Sequence, residues 1–262
     1  LTGPVTFLVL GFVNGLTSGF SVKVAQAFGA GDEARVRRAV GMSYLLCVAV
    51  AVVVTAVAVP LTAPLLRLMQ TPSAYYDYAY WYLLIIFCGI GATVFYNIVA
   101  GLLRAVGDSR TPLYFLVAAA VLNVGLDFAF IMGCGWHYCG AALATVLSQL
   151  LSGGACLAYA LYRYPVLRPA RSDFGWDTRL AMGHFAVGLP MALQFSITAI
   201  GCIVQQTALN GLDAALPGAV TAYTAASKID NIANQVFVAL GTALATYAGQ
   251  NYGAGEFGRI RR

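Results

Sequence analysis

Seven apolar stretches, near residues 2–27, 40–61, 77–104, 112–132, 140–162, 186–209 and 220–248, dominate this sequence. Each is long enough to cross a hydrocarbon core of about 30 Å, which takes around 20 helical residues. The chain is 60% hydrophobic and only 10% charged, whereas soluble domains run near half and a quarter. The expected fold is therefore all-α, a polytopic membrane helix bundle. The first stretch is no signal peptide, because it lacks a basic start and a short apolar region ending in a cleavage site.

Charge sets the orientation. Twelve of the fifteen Lys and Arg residues fall in alternate connections: Arg35, Arg37 and Arg38; Arg104 and Arg110; Arg163, Arg168, Arg171 and Arg179; Arg259, Arg261 and Arg262. The intervening connections carry only Arg67. The basic set is then cytoplasmic and Leu1 lies outside. Tyr75, Tyr76, Tyr78, Tyr80, Trp81 and Tyr82 at the outer end of the third stretch, with Trp136 and Tyr138 in another outer loop, agree with an interfacial aromatic belt. The net charge of +5 thus reflects membrane orientation, and nucleic acid is not an expected partner.

A thirteen-residue segment occurs twice. Gln26 to Arg38 reads QAFGAGDEARVRR and Gln250 to Arg262 reads QNYGAGEFGRIRR, with seven identical positions at an offset of 224 residues. Each copy ends an apolar stretch and opens a basic loop. Repeated membrane helices mark transporters built from two similar halves. The copies follow the first and seventh stretches, six spans apart, so the halves share one orientation and are related by a pseudo-two-fold along the membrane normal. This predicts two six-helix lobes: residues 1–162 supply five helices of the first, 163–185 form a cytoplasmic linker, and 186–262 supply two helices of the second. The chain reads as an internal portion of a protein of about twelve helices. From Asp177 the linker is expected to form a short interfacial helix before the next span.

Together these segments resemble the multidrug and toxic compound extrusion (MATE) family, within the superfamily of multidrug, oligosaccharidyl-lipid and polysaccharide transporters. The repeats look like the ends of that family's helices 2 and 8; LLRAVGDSRTP (Leu102 to Pro112), NVGLD (Asn123 to Asp127) and GAALAT (Gly140 to Thr145) are similar to its loop between helices 4 and 5, its helix 5 and its helix 6. The resemblance implies an inner-membrane, multi-pass exporter of drugs or organic cations, working by antiport against protons or sodium, with no cofactor. Oligomeric state stays open, with a monomer expected.

Acidic residues inside spans are functional candidates by default, because an ionisable group at membrane depth is costly unless it faces protein or water. Of ten acidic residues only Asp127 and Asp230 lie well inside spans. Asn123 precedes Asp127 by four residues, on the same helical face, and Thr145 lies at similar depth on the descending neighbour. Asp127, Asn123 and Thr145 are the expected cation-coupling set, and the resemblance places the same positions in the family's N-terminal coupling network, together with a helix 1 carboxylate that this chain does not contain. Sodium is a candidate ligand at Asp127 and Asn123. Burial raises the pKa of a carboxylate and a bound cation lowers it, which lets one group exchange the two. Asp230, Gln194 and Asn97 are expected to line a substrate cavity.

Other features have simpler readings. Lys23 snorkels toward the interface. His184 sits at the interface. Cys47, Cys88, Cys156 and Cys202 pack within spans, and Cys134 and Cys139 in the outer loop CGWHYC are a possible pair. In the hairpin LLRAVGDSRTP, Arg104 complements the end of a helix and Gly107 takes a left-handed cap. No nucleophile with a base, phosphate loop or metal-ligand cluster is present in the sequence, so no enzyme is expected. The rival readings are a lipid-linked saccharide flippase of the same superfamily and, in a different class, a seven-helix receptor or membrane scaffold.

Overall fold

The computed structural model describes residues 3–68, 73–133, 135–215 and 219–261, and all regular structure among them is helical. The helices are α1 (Gly3–Gly29), α2 (Glu33–Leu68), α3 (Ser73–Cys88), α4 (Ile90–Ala105), α5 (Arg110–Asp127), α6 (His137–Arg163), α7 (Thr178–Ala215), α8 (Ala219–Gly253) and the short α9 (Phe257–Ile260). Six of them contain a segment long and apolar enough to cross a membrane, and α3 with α4 meets the same length and composition as a bent pair. The seven expected stretches are all found.

The third stretch, expected to be continuous, bends by 45° between α3 and α4. Gly89 stands at the break. A Cβ there would lie 2.2 Å from the Val146 side chain on α6, so the bend brings backbone against α6 where any larger residue would collide. The expected interfacial helix after Asp177 is not separate. Asp177 Oδ1 accepts the backbone N–H groups of Arg179 (2.9 Å) and Leu180 (3.1 Å), and this cap starts a helix that runs without interruption into the span. The rest of the linker lies on α2, in two 3-10 turns at Pro165–Leu167 and Arg171–Phe174. Leu167 is buried, and Gly41 has no side chain where the Asp173 carbonyl passes.

The centre of the bundle is α1, which packs most extensively against α7 and then against α4 and α8. Gly11, Gly15 and Gly19 recur every four residues and so share one face. Opposite them stand Phe195, Ala192 and Gly188 in antiparallel order; a Cβ on Gly15 would come within 2.5 Å of the Ala192 Cα and one on Gly19 within 2.2 Å of the Gly188 Cα. Lipid tails are as apolar as leucine, so spans gain little by hiding Leu from lipid and associate instead through close backbone approach at small residues. This seam joins the first five spans to the sixth.

The two repeat copies have the same local geometry. Ala30 N–H donates to Gln26 O (3.1 Å) and Ala254 N–H to Gln250 O (3.0 Å). Gly31 and Gly255 both take left-handed φ values, 72° and 74°. The copies also meet: a Cβ on Gly29 would lie 1.9 Å from Gln250 O, and one on Gly253 would lie 1.9 Å from Gln26 O. Reciprocal contacts of this kind, residue i on j and j on i, are what a two-fold relation produces.

Candidate functional site

Asp127 is the last residue of α5, and a single π-helical turn, Phe128–Gly133, follows it directly. Such turns widen the helix and frequently sit at functional positions. Its Oδ1 is buried and has no hydrogen-bond partner among the described residues. A buried, unsatisfied polar atom costs about 1–3 kcal/mol, more when charged. That deficit is what a proton or a hard cation would relieve.

The other two expected members stand together. Asn123 Nδ2 donates to Thr145 Oγ1 at 3.5 Å, the long limit for such a bond. The Thr145 hydroxyl also donates to Ala141 O at 3.0 Å, closing its helix locally. With its amide directed to Thr145, the Asn123 carbonyl oxygen stays available on the face it shares with Asp127. All three residues are partly buried, and their oxygen donors suit a hard cation such as sodium.

Two further polar pairs extend this group across the lobe. Thr93 Oγ1 on α4 donates to Gln149 Oε1 on α6 at 2.6 Å. Asn97 Nδ2 on α4 donates to Asn14 Oδ1 on α1, also at 2.6 Å. Within each helix the members are four residues apart: Asn97 and Thr93, Gln149 and Thr145, Asn123 and Asp127. A polar band therefore crosses α1, α4, α6 and α5 through an otherwise apolar bundle. Asn97, expected in a substrate cavity, stands in this band. Asn14, Thr93 and Gln149 escaped the sequence reading, although uncharged amides inside apolar stretches at four-residue spacing were the available signal.

Gln194 is exposed on α7 and Asp230 is exposed on α8. Asn234 Nδ2, one turn on, donates to the Asp230 carboxylate at 2.8 Å. Neither residue joins the polar band. His184 departs from its expected interfacial position: it is fully buried, 0% exposed. Because α7 begins eight residues before the expected span, His184 packs inside the bundle, edge-on to Phe20, with Nδ1 donating to Leu180 O (2.8 Å) and Nε2 lying 3.2 Å from Ser43 Oγ. Lys23 Nζ donates to Gln26 Oε1 at 3.1 Å. The pairing of Cys134 with Cys139 lies outside the described residues.

The hairpin between α4 and α5 is built as its sequence implies. Gly107 is left-handed, with φ 92°, and Asp108 N–H closes the turn on Leu103 O at 2.9 Å. Asp108 then accepts Thr111 N–H (3.0 Å) and the Tyr164 hydroxyl (3.0 Å), tying the hairpin to the start of the linker. Burial alone would raise the Asp108 pKa, but the hydrogen bonds from Thr111, Tyr164 and Arg110 together outweigh it and hold the carboxyl below its ordinary 3.8. Arg104 lies at the end of α4, and Gln250 Nε2 from the second repeat caps the neighbouring Ala105 O at 2.9 Å.

Known proteins resemble this arrangement. The MatE family model matches residues 1–129. A probable multidrug resistance protein YoeA of Bacillus subtilis is 28% identical over 99% of this chain and 57% of its own length. A probable multidrug resistance protein NorM of Bradyrhizobium diazoefficiens is 30% identical over 100% of this chain and 57% of its own length. A solved structure described as the outward-facing conformation of a multidrug resistance MATE family transporter of the MOP superfamily superposes with a TM-score of 0.87, at 25% identity, over 100% of this chain and 58% of the other. The chain thus spans a little over half the length of these relatives.

Proposed function

We propose that this chain, which matches the MatE family model over residues 1–129 and is similar to probable multidrug resistance proteins over nearly its whole length, works in secondary active efflux, exporting drugs or organic cations by antiport against protons or sodium. Residues 1–162 form one lobe, 163–185 the linker and 186–262 the start of a second lobe, and alternating access is a rocking of the lobes about the α1 seam. Asp127 is the coupling carboxylate, with Asn123 and Thr145 as neutral ligands. The observation that carries this reading is the buried Asp127 Oδ1 with no partner, on the helical face it shares with Asn123.

When Asp127 holds a proton or sodium, the charge at membrane depth is neutralised; when the ion leaves, the bare carboxylate favours the state that exposes it to water. Drug binding and ion binding are then linked through the same lobe. Asp230 and Gln194, polar and exposed on the second lobe, are the proposed contacts for the cationic and hydrogen-bonding parts of a substrate, and Asn97 lies on the opposite side. The test is efflux of a fluorescent organic cation from cells expressing the full-length gene, with the proton and sodium gradients collapsed separately. Loss with one gradient identifies the coupling ion, and efflux indifferent to both contradicts antiport.

A further inference from the structure

A cavity of about 280 Å³ opens where the cytoplasmic ends of α1, α2 and α7 converge. Its polar lining consists of Lys23 and Gln26 from α1, Arg35 from α2, and Asp177 and Arg179 at the start of α7. Three cations thus face one carboxylate. That carboxylate is already engaged, since Asp177 Oδ1 accepts two backbone N–H groups of the α7 cap. Among the described residues the one ion pair is Arg37 with Glu33, so Lys23, Arg35 and Arg179 form no ion pair there.

Lys23 is the decisive member. It is partly buried, lies six residues above the end of α1, and therefore stands about 9 Å up the helix at 1.5 Å per residue. The chain of Lys23 passes beside Gly183, where a Cβ would lie 3.6 Å from Cε and 3.9 Å from Nζ, in ordinary contact. One Nζ proton is used by the neutral Gln26 amide, which leaves two further donors on a residue that lines the cavity. Such a cationic recess at the level of the inner headgroups matches the chemistry of basic pockets that hold acidic lipids.

We propose that this recess binds a phosphate-bearing anion, the headgroup of an acidic inner-leaflet phospholipid or a free phosphate, with Lys23, Arg35 and Arg179 as its ligands. The ligands come from both sides of the α1–α7 seam, so the bound anion fastens α7 to the first lobe at its cytoplasmic end. Binding does not depend on the transport reading and is measured without it.

The full-length protein in detergent is titrated with dioctanoyl phosphatidylglycerol, dioctanoyl phosphatidylcholine and inorganic phosphate, and the thermal unfolding midpoint is followed. Phosphatidylglycerol should raise the midpoint saturably and phosphatidylcholine should not. A response to inorganic phosphate equal to that of phosphatidylglycerol identifies a free anion as the ligand, and a weaker one identifies the lipid. Lys23→Gln with Arg179→Gln should weaken binding at least tenfold, while Arg163→Gln, at the end of α6 and outside the recess, should leave it unchanged. Asp177→Asn keeps the cap oxygen but removes the opposing charge, so it should tighten binding, an outcome that misfolding cannot mimic. The proposal is overturned if neither phosphatidylglycerol nor phosphate gives a saturable shift, or if Asp177→Asn leaves their affinity unchanged.

Discussion

Gly29 and Gly253 each abut the backbone carbonyl three residues before the other, Gln250 O and Gln26 O, and a Cβ on either would stand 1.9 Å from that oxygen. The contact is symmetric in sequence as well as in space, because Gly29 and Gly253 are related by the same 224-residue offset as Gln26 and Gln250. It closes the seam between α1 and α8 at the cytoplasmic end.

Gly29→Ala and Gly253→Ala should therefore destabilise the protein to a similar degree, each by about 1–3 kcal/mol, the usual cost of overpacking. Thermal unfolding of the purified full-length variants measures this. A neutral result at one glycine with a large loss at the other would refute the two-fold contact.

Gln149→Leu should strand the Thr93 hydroxyl, whose bond to Gln149 is 2.6 Å. The expected loss of stability is about 1–2 kcal/mol, the cost of leaving one neutral group unpaired. Gradient-driven efflux should fall in part, since the band that supports Asn123 and Thr145 is weakened but the carboxylate is kept. Unaltered unfolding would show that the pair contributes nothing.

Asp108 gives a pH dependence of defined sign. Its folded-state pKa lies below 3.8, so its contribution to stability is fully present above that value and is lost as pH falls through the lower folded value. Acid unfolding of the α4–α5 hairpin, followed by hydrogen exchange below about pH 4, should become less steep in Asp108→Asn. An unchanged profile would remove Asp108 from the hairpin's support.

Much of this was legible in the sequence, for identifiable reasons. Apolar length gave the seven helical stretches, and the repeat gave the matching local geometry around Gly29 and Gly253. Asn123 and Thr145 were found because helical spacing and depth suffice to place them. The cross-helix pairs Asn14–Asn97 and Thr93–Gln149 were not, since which polar residue faces which depends on the rotation of each helix about its own axis, and packing sets that. The same holds for His184, whose burial follows from the early start of α7, and for the bend at Gly89, which needs Val146 of α6 beside it.

Asn123→Ala and Thr145→Ala should each reduce coupled efflux less than loss of the carboxylate does, since each removes a neutral ligand worth roughly 1 kcal/mol. Apparent affinity for the coupling ion, measured from efflux against its concentration, should weaken several-fold. Complete loss at either would shift the central role away from Asp127.

The most direct test is gradient-driven efflux by full-length Asp127→Asn, measured beside its expression level and thermal midpoint. The amide keeps the shape of the side chain and cannot ionise, so folding should be retained and efflux abolished. Normal efflux in a folded Asp127→Asn protein would contradict the assignment and leave Asp230 as the carboxylate to test.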